Sequence, residues 1–372
     1  MSNDSQILFC FGSRPELIKL APVYHNLKSH FNITPRLCDT GQQKDLLADL
    51  YQELDMTADI RLSVMKSGQS LDQLIATLTA QLPEVIKRLH PDLVVVQGDT
   101  ASAFTAAMVA GGQNVAVAHV EAGLRTYDIT SPFPEEIYRQ GISKIAAWHF
   151  CPTEQARLNL LKEGHPENRV FVTGNTVIDM ILRQKNTSPP ILAGRDGKRP
   201  YFLITLHRRE SQGEPLRNTL ATLMEFAITN PAYDLVMPLH PNPATSTVVQ
   251  EMLGRHDNIF LIDPLPYPKF VALMSDAFAI ITDSGGIQEE APSLNVPVIV
   301  VRTKTERPEG VENGCLRLAG TERATILQEL DLLIHDKAHY KSMQTAENPF
   351  GDGHAAERIA HHLKDIAESY HT

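Results

Sequence analysis

The sequence predicts an α/β protein built from two doubly wound parallel sheets, and three observations carry that expectation. Short β-branched or apolar runs alternate with longer segments of helical period along nearly all 372 residues, the pattern of a parallel sheet covered by helices on both faces. The alternation is interrupted once, at 184–200 (QKNTSPPILAGRDGKRP), where Pro, Gly and charge accumulate, and then restarts. The chain is also longer than the about 250–300 residues at which a single core stops growing, and its 42% of hydrophobic residues can fill two. The expected organisation is an N-terminal domain over 1–183, a linker over 184–200, a second domain over 201–354 and a terminal helix over 355–372 able to pack back on the first domain.

In chain order the first half reads as strands at 7–12, 34–39, 93–97, 115–120, 148–151 and 170–172, with helices between them near 16–29, 70–89 and 101–111. The second half reads as strands at 201–205, 234–238, 259–262, 277–282 and 296–301, again separated by helical segments. Open parallel sheets bind ligands beyond the carboxyl ends of their strands. If the two carboxyl edges face each other, the site is a central cleft between domains.

Composition narrows the partners. A formal net charge of −10 argues against nonspecific binding to nucleic acid or to a membrane surface, both of which want a basic face, so an anionic ligand needs a local positive pocket. Cys10, Cys38, Cys151 and Cys315 lie far apart, with neither metal-ligand nor disulfide-framework spacing; that fits a reducing cytoplasm. The opening MSNDSQILFCFGSRPE lacks the basic and apolar regions of a signal peptide, and no apolar stretch approaches the ~20 residues that span a bilayer.

Nearly every unusual cluster falls just after an expected strand. Asp283-Ser284-Gly285-Gly286 ends a strand and enters a helix; the glycines let a phosphate approach the free N–H groups there, or the segment is an ordinary N-cap. Arg14 follows Gly12, with Lys19 behind it; both suit a phosphate, although an exposed arginine beside Glu16 reads the same way. Asp99 sits where a strand gives way to an Ala-rich helix, as a cap or as a catalytic group. The stretch HVEAGLRTYDITSPFPEEIYR places Glu121 directly after a buried strand and Glu135 and Glu136 in the first turn of a helix, with Arg139 four residues after Glu135. Phe133, Ile137 and Tyr138 suggest an apolar surround, in which an unpaired carboxylate gains proton affinity. His207, followed by Arg208 and Arg209, suits donation to a phosphate or proton transfer.

Taken in order, GSRPELIKLAPV, TGQQKDLL, PDLVVVQGDT, HVEAGLRT, SPFPEEIYR, HFCPTE, TGNTVID, HRRE, TDSGGIQEEAPSL and TERPE resemble the non-hydrolysing UDP-N-acetylglucosamine 2-epimerases, from about residue 7 to 353. The resemblance implies two Rossmann-like domains in the GT-B arrangement, with the nucleotide held mostly by the second. It implies interconversion of UDP-GlcNAc and UDP-ManNAc for bacterial polysaccharide precursors, with no cofactor and no metal, in a homodimer. The reaction it implies is elimination of UDP to a 2-acetamidoglucal, followed by re-addition. Departure of the diphosphate must then be stabilised by cations and helix-end N–H groups, and water must be kept from the intermediate.

Position by position, the resemblance implies Asp99, Glu121, Glu135, Arg139 and His207 as catalytic residues, with Asp99 and Glu135 the favoured proton-transfer pair. It implies Arg14, Lys19, Phe270, Ser284, Gly285, Gly286, Glu290 and Arg307 as ligand contacts. The family's Gln-His-Arg-Glu-Met is replaced by Gln42-Gln43-Lys44-Asp45-Leu46, in a region that binds an activating second UDP-GlcNAc in bacterial members, so only Gln42 remains of that allosteric site. Tyr138 replaces a small Asn, Leu265 stands where a Gln often contacts uracil, and His240-Pro241-Asn242 departs from His-Leu-Asn. Competing readings are a hydrolysing epimerase that releases ManNAc, a 2-epimerase of a modified UDP-HexNAc, a GT-B glycosyltransferase and a catalytically silent sugar-nucleotide binder.

Overall fold

A computed structural model describes residues 6–31, 33–66, 68–130, 132–184, 197–206, 213–239, 243–254 and 256–370. The chain divides into two compact units, Met1–Met180 with Gly351–Thr372, and Ile181–Phe350.

Unit 1 is a seven-stranded sheet. Its strands are β1 (Ile7–Phe11), β2 (Arg36–Asp39), β3 (Ile60–Arg61), β4 (Leu93–Gln97), β5 (Ala116–Val120), β6 (Trp148–Cys151) and β7 (Val170–Val172). They lie in the order β3-β2-β1-β4-β5-β6-β7, every pairing parallel. The helices in between are α1 (Arg14–Phe31), α2 (Lys44–Glu53), α3 (Leu71–Leu89), α4 (Ala101–Gly112), α5 (Glu135–Ile145), α6 (Glu154–Lys162) and α7 (Thr176–Gln184). β1 and β4 are buried along their whole length, as expected of strands covered on both faces. Leu8, Cys10, Val94 and Val96 face a core shared with Leu74, Leu78 and Leu82 of α3 and the small residues of α4. The connections leave β1 in one direction and β4 in the other, so the gap between these strands is the topological switch point, where such sheets bind ligands.

Unit 2 repeats the plan with β8 (Tyr201–Thr205), β9 (Asp234–Pro238), β10 (Ile259–Ile262), β11 (Ala279–Thr282), β12 (Val298–Val300) and β13 (Leu316–Leu318), in the order β10-β9-β8-β11-β12-β13 and again all parallel. Its helices are α8 (Glu214–Thr229), α9 (Pro243–Leu253), α10 (Tyr267–Ser275), α11 (Gly285–Glu290), α12 (Pro308–Glu312), α13 (Arg323–His335) and α14 (Lys337–Thr345). The switch point lies between β8 and β11.

The last helix, α15 (Ala355–Ser369), belongs to unit 1. The Ala356 N–H donates to Asp179 Oδ1 at 2.8 Å, Arg358 donates to the Thr173 carbonyl at 3.1 Å, and the His362 ring stacks on Phe171 with centroids 4.0 Å apart. Two strands escape the sequence pattern. Ile60–Arg61 and Leu316–Leu318 are two- and three-residue edge strands with an arginine inside, too short for periodicity to register. Most of the expected linker, 185–196, lies outside the described residues.

Candidate functional site

In unit 1 the sequence around the switch point folds into a polar lattice that knits three loops together. Glu16, in the first turn of α1, is buried, and its Oε2 accepts from the N–H groups of Gly12 at 3.0 Å and Ser13 at 2.8 Å. Its Oε1 accepts from Thr100 Oγ1 at 2.8 Å, across from the loop after β4. Burial pushes the Glu16 carboxyl up to about 7, against the hydrogen bonds from Ser13, Thr100 and Gly12 that favour the ionised form. Gly12 has no room for a side chain: a Cβ there would stand 2.2 Å from Thr40 Oγ1 and 2.3 Å from Ser102 Oγ. Ser102 donates to Gln42 Oε1 at 2.7 Å, and Gln43 Oε1 accepts the Arg14 N–H at 3.0 Å. Gln42, expected at an allosteric site, is thus tied to the switch point. Among the described residues the Arg14 guanidinium pairs with no carboxylate, and Glu16 is not its partner.

The carboxylates sit at the ends of β4 and β5 and on α5. The cap of α4 is Thr100, which accepts from the Ala103 N–H at 3.0 Å. Asp99 is therefore not a cap, and its Oδ2 receives Arg139 Nη2 at 2.6 Å and Nε at 3.1 Å. Glu121, the first residue after β5, has φ 65°, a left-handed backbone that costs a residue with a Cβ about 1–3 kcal/mol. It pairs with Lys19 and accepts from Gln97 Nε2 at 2.8 Å. Behind this edge His119 donates Nε2–H to the Gly98 carbonyl at 2.7 Å; burial lowers its pKa to about 4, so the ring is neutral near pH 7.

On α5 the two adjacent acids part company. Glu136 is buried, accepts from the N–H groups of Thr126 and Tyr127 at 3.1 Å each and from Gln140 at 2.7 Å, and lies 3.3 Å from Arg139 Nη1. Glu135 has a buried Oε2 with no hydrogen-bond partner among the described residues. The expected apolar surround of these acids is corrected: Phe133 is 65% and Ile137 40% exposed, while Tyr138 turns inward and stacks on Phe104. The buried face of α5 is instead built largely from Glu136, Arg139, Ile142 and Ser143, with Arg139 donating to Asp99 and Ser143 bonded to Arg125 and to backbone, while Arg139 Nη1 makes no hydrogen bond among the described residues.

In unit 2, Ser284 starts α11 without a side-chain cap bond, Gly285 is buried, and a Cβ on Gly286 would stand 3.2 Å from Glu290 Oε1. Arg307 donates Nε to Glu289 Oε1 at 2.8 Å and Nη1 to Glu306 at 3.2 Å, so it is held in an ionic cluster that includes Arg302. Phe270 lies partly buried on α10. His207 and the segment 240–242 fall outside the described residues. Among the described residues no group of three or more His, Cys, Asp and Glu is arranged to hold a metal ion, and no helix is long and apolar enough to cross a membrane.

Sequence reasoning brought Lys19 and Glu121 to one edge, and Asp99 and Arg139 with them, but it missed the pairings. It named Glu136 beside Glu135 without separating their surroundings, and it gave no role to Glu16, Thr100, Gln97 or His119. Ser13-Arg14-Pro15-Glu16 is a capping-box pattern, a signal that was available and that points to the Glu16–Ser13 bond, though not to the Thr100 bridge.

The two units are doubly wound sheets, one lining its switch point with cation-paired carboxylates and the other opening a helix with Ser-Gly-Gly. Residues 25–364 match the family model described as UDP-N-acetylglucosamine 2-epimerase. A UDP-N-acetylglucosamine 2-epimerase of Neisseria meningitidis is 41% identical over 367 residues, 96% of this chain and 99% of the relative. A crystal structure of UDP-GlcNAc 2-epimerase from that organism bound to UDP-GlcNAc superposes with TM-score 0.90 at 40% identity, covering 97% of this chain and 100% of the other. One from Methanocaldococcus jannaschii, in complex with UDP-GlcNAc and UDP, gives 0.81 at 33% identity, covering 97% and 99%. The chain belongs to the UDP-N-acetylglucosamine 2-epimerase family and is an isomerase.

Proposed function

We propose that the protein interconverts UDP-GlcNAc and UDP-ManNAc by eliminating and re-adding UDP, without net hydrolysis. One carboxylate takes the C2 proton; the C2–H electron pair forms the C1–C2 double bond, and the C1–O bond leaves with UDP. In the return step a UDP oxygen attacks C1 and a second acid delivers a proton to the opposite face of C2. Asp99 and Glu135 are the proposed proton-transfer pair. Glu121, held by Lys19 and Gln97, orients sugar hydroxyls or shares the relay. Arg14, with Ser284, Gly285 and Gly286, takes the diphosphate, joined by His207. Glu290 accepts from the ribose, and Phe270 and Arg307 complete the nucleotide contacts, Arg307 from within its pairing with Glu289.

The observation that carries this reading is the contrast between three acids, two at the ends of β4 and β5 and one in the first turn of α5. Asp99 and Glu121 are each matched to a cation, and Glu135 keeps a buried oxygen without a partner among the described residues. A carboxylate held by a cation and one with an open oxygen can take different parts in a single reaction. The same reading makes the enzyme a cytoplasmic homodimer serving polysaccharide synthesis; its four unpaired, buried cysteines suit a reducing compartment.

Incubation with UDP-GlcNAc in deuterium oxide, followed by NMR, tests the proposal. UDP-ManNAc carrying deuterium at C2 is expected. Free ManNAc and UDP as the main products would replace the proposal with hydrolysis, and an unlabelled C2 would exclude proton abstraction there.

A further inference from the structure

We infer that Glu16 is a positioning residue for the epimerisation: its carboxylate clamps the loop after β1, which leads into Arg14 at the start of α1, to the loop after β4, which carries Asp99. The inference rests on the roles proposed for Arg14 and Asp99 above. Its basis is geometric. One buried carboxylate accepts two N–H groups from the first loop and the Thr100 hydroxyl from the second. Thr100 is the neighbour of Asp99 and also the cap of α4, so pulling on its hydroxyl moves the residue that presents Asp99 to Arg139. Arg14 is anchored on the other side by the bond from its N–H to Gln43. An ordinary capping-box glutamate lies at the surface and satisfies its own helix; Glu16 is 1% exposed and reaches a second loop 84 residues away in sequence.

Of the charges near Glu16, the Arg14 guanidinium pairs with no carboxylate among the described residues, and the others are engaged elsewhere. Lys19 of α1 pairs with Glu121, and Asp99 pairs with Arg139. The Cys10 thiol of β1 is kept protonated, its pKa raised by its hydrogen bond with Cys38 and by burial. Against the burial of the Glu16 charge stand the hydrogen bonds of the clamp, which offset it only in part. Burial places the carboxyl at about 7, so the clamp is fully charged only above neutral pH.

The test compares wild type with Glu16→Gln, which keeps the shape and can still receive the two N–H groups on its carbonyl oxygen but lacks the charge. Conversion of UDP-GlcNAc to UDP-ManNAc is expected to lose about ten- to a hundredfold in kcat, the scale of a small misplacement of reacting groups, with KM within about twofold. The wild-type kcat should rise with an inflection near pH 7 that the variant lacks. Independently of any substrate, the amide proton shifts of Gly12 and Ser13 in the wild type should move with an inflection near pH 7, as the carboxylate that accepts both N–H groups gains its proton. A variant with wild-type kcat and the same inflection overturns the inference. So do amide proton shifts of these two residues that stay constant through pH 7, a readout that decides the matter if the variant fails to fold. A wild type that epimerises nothing sinks the proposed function, while the amide result still judges the clamp.

Discussion

Glu135 and Glu136 are consecutive, identical in type and opposite in duty. Glu136 satisfies two loop N–H groups, Gln140 and Arg139 from a fully buried position, so Glu136→Gln should cost about 1–3 kcal/mol of stability, read as a lower Tm. Glu135→Gln removes no bond that the described residues make through Oε2; it should leave Tm unchanged and lower kcat by about a hundredfold or more, the usual contribution of general acid–base groups. Equal effects of the two changes on both quantities would contradict the division. Glu16 adds a pH signature. Because its folded pKa is raised from the ordinary 4.5 to about 7, the fold favours the protonated acid. The associated stability is complete below 4.5 and is lost as pH rises through 7, up to about 3 kcal/mol. The Tm of the wild type relative to Glu16→Gln should therefore fall between about pH 5 and about pH 8; a constant difference would show that the carboxyl is not buried as described. At this scale the sequence marked the acids but could not rank them, since burial and pairing belong to tertiary packing. Asp99 and Thr100 illustrate the limit: both are good caps, and only the structure gives the cap to Thr100 and leaves Asp99 for Arg139.

At the scale of elements, the polar clusters are concentrated where strands end and helices begin, and that much was legible. Buried apolar strands followed by Gly-Ser-Arg, Gly-Asp-Thr or Asp-Ser-Gly-Gly announce carboxyl edges because only glycine and short polar residues fit such tight turns. The closeness of approach was not legible. Gly12 lies under two hydroxyls, so Gly12→Ala must push Thr40 and Ser102 apart. It should destabilise by about 1–3 kcal/mol, or about 2–4 °C of Tm per kcal/mol in a unit of this size, and lower activity through Arg14. A Gly12→Ala protein with unchanged Tm would mean that the hydroxyls move freely. The face of α5 was misjudged for a related reason. A helix whose hidden side is charged gives no apolar stripe, and the apolar Phe133 and Ile137 proved to be outside. Short edge strands such as β3 and β13 leave no period to detect.

The whole molecule is two repetitions of one plan, and the second begins where the alternation of the sequence restarts. The terminal helix α15 closes unit 1 through Asp179, Thr173 and the His362 stack. Removing residues 355–372 should open unit 1 to proteolysis before unit 2, with first cuts inside 6–180; first cuts inside 213–350 would contradict that assignment. The division of chemistry between units follows the same plan. Acids and cations line the switch point of unit 1, and the Ser-Gly-Gly turn lies at that of unit 2, each beyond the carboxyl ends of its strands. The central claim is that UDP leaves and returns during each turnover. UDP-GlcNAc carrying oxygen-18 between C1 and the β-phosphorus tests it most directly. Scrambling of the label into the non-bridging β-phosphate positions, in step with epimerisation, is the predicted result; epimerisation with the label fixed in the bridge would contradict the account.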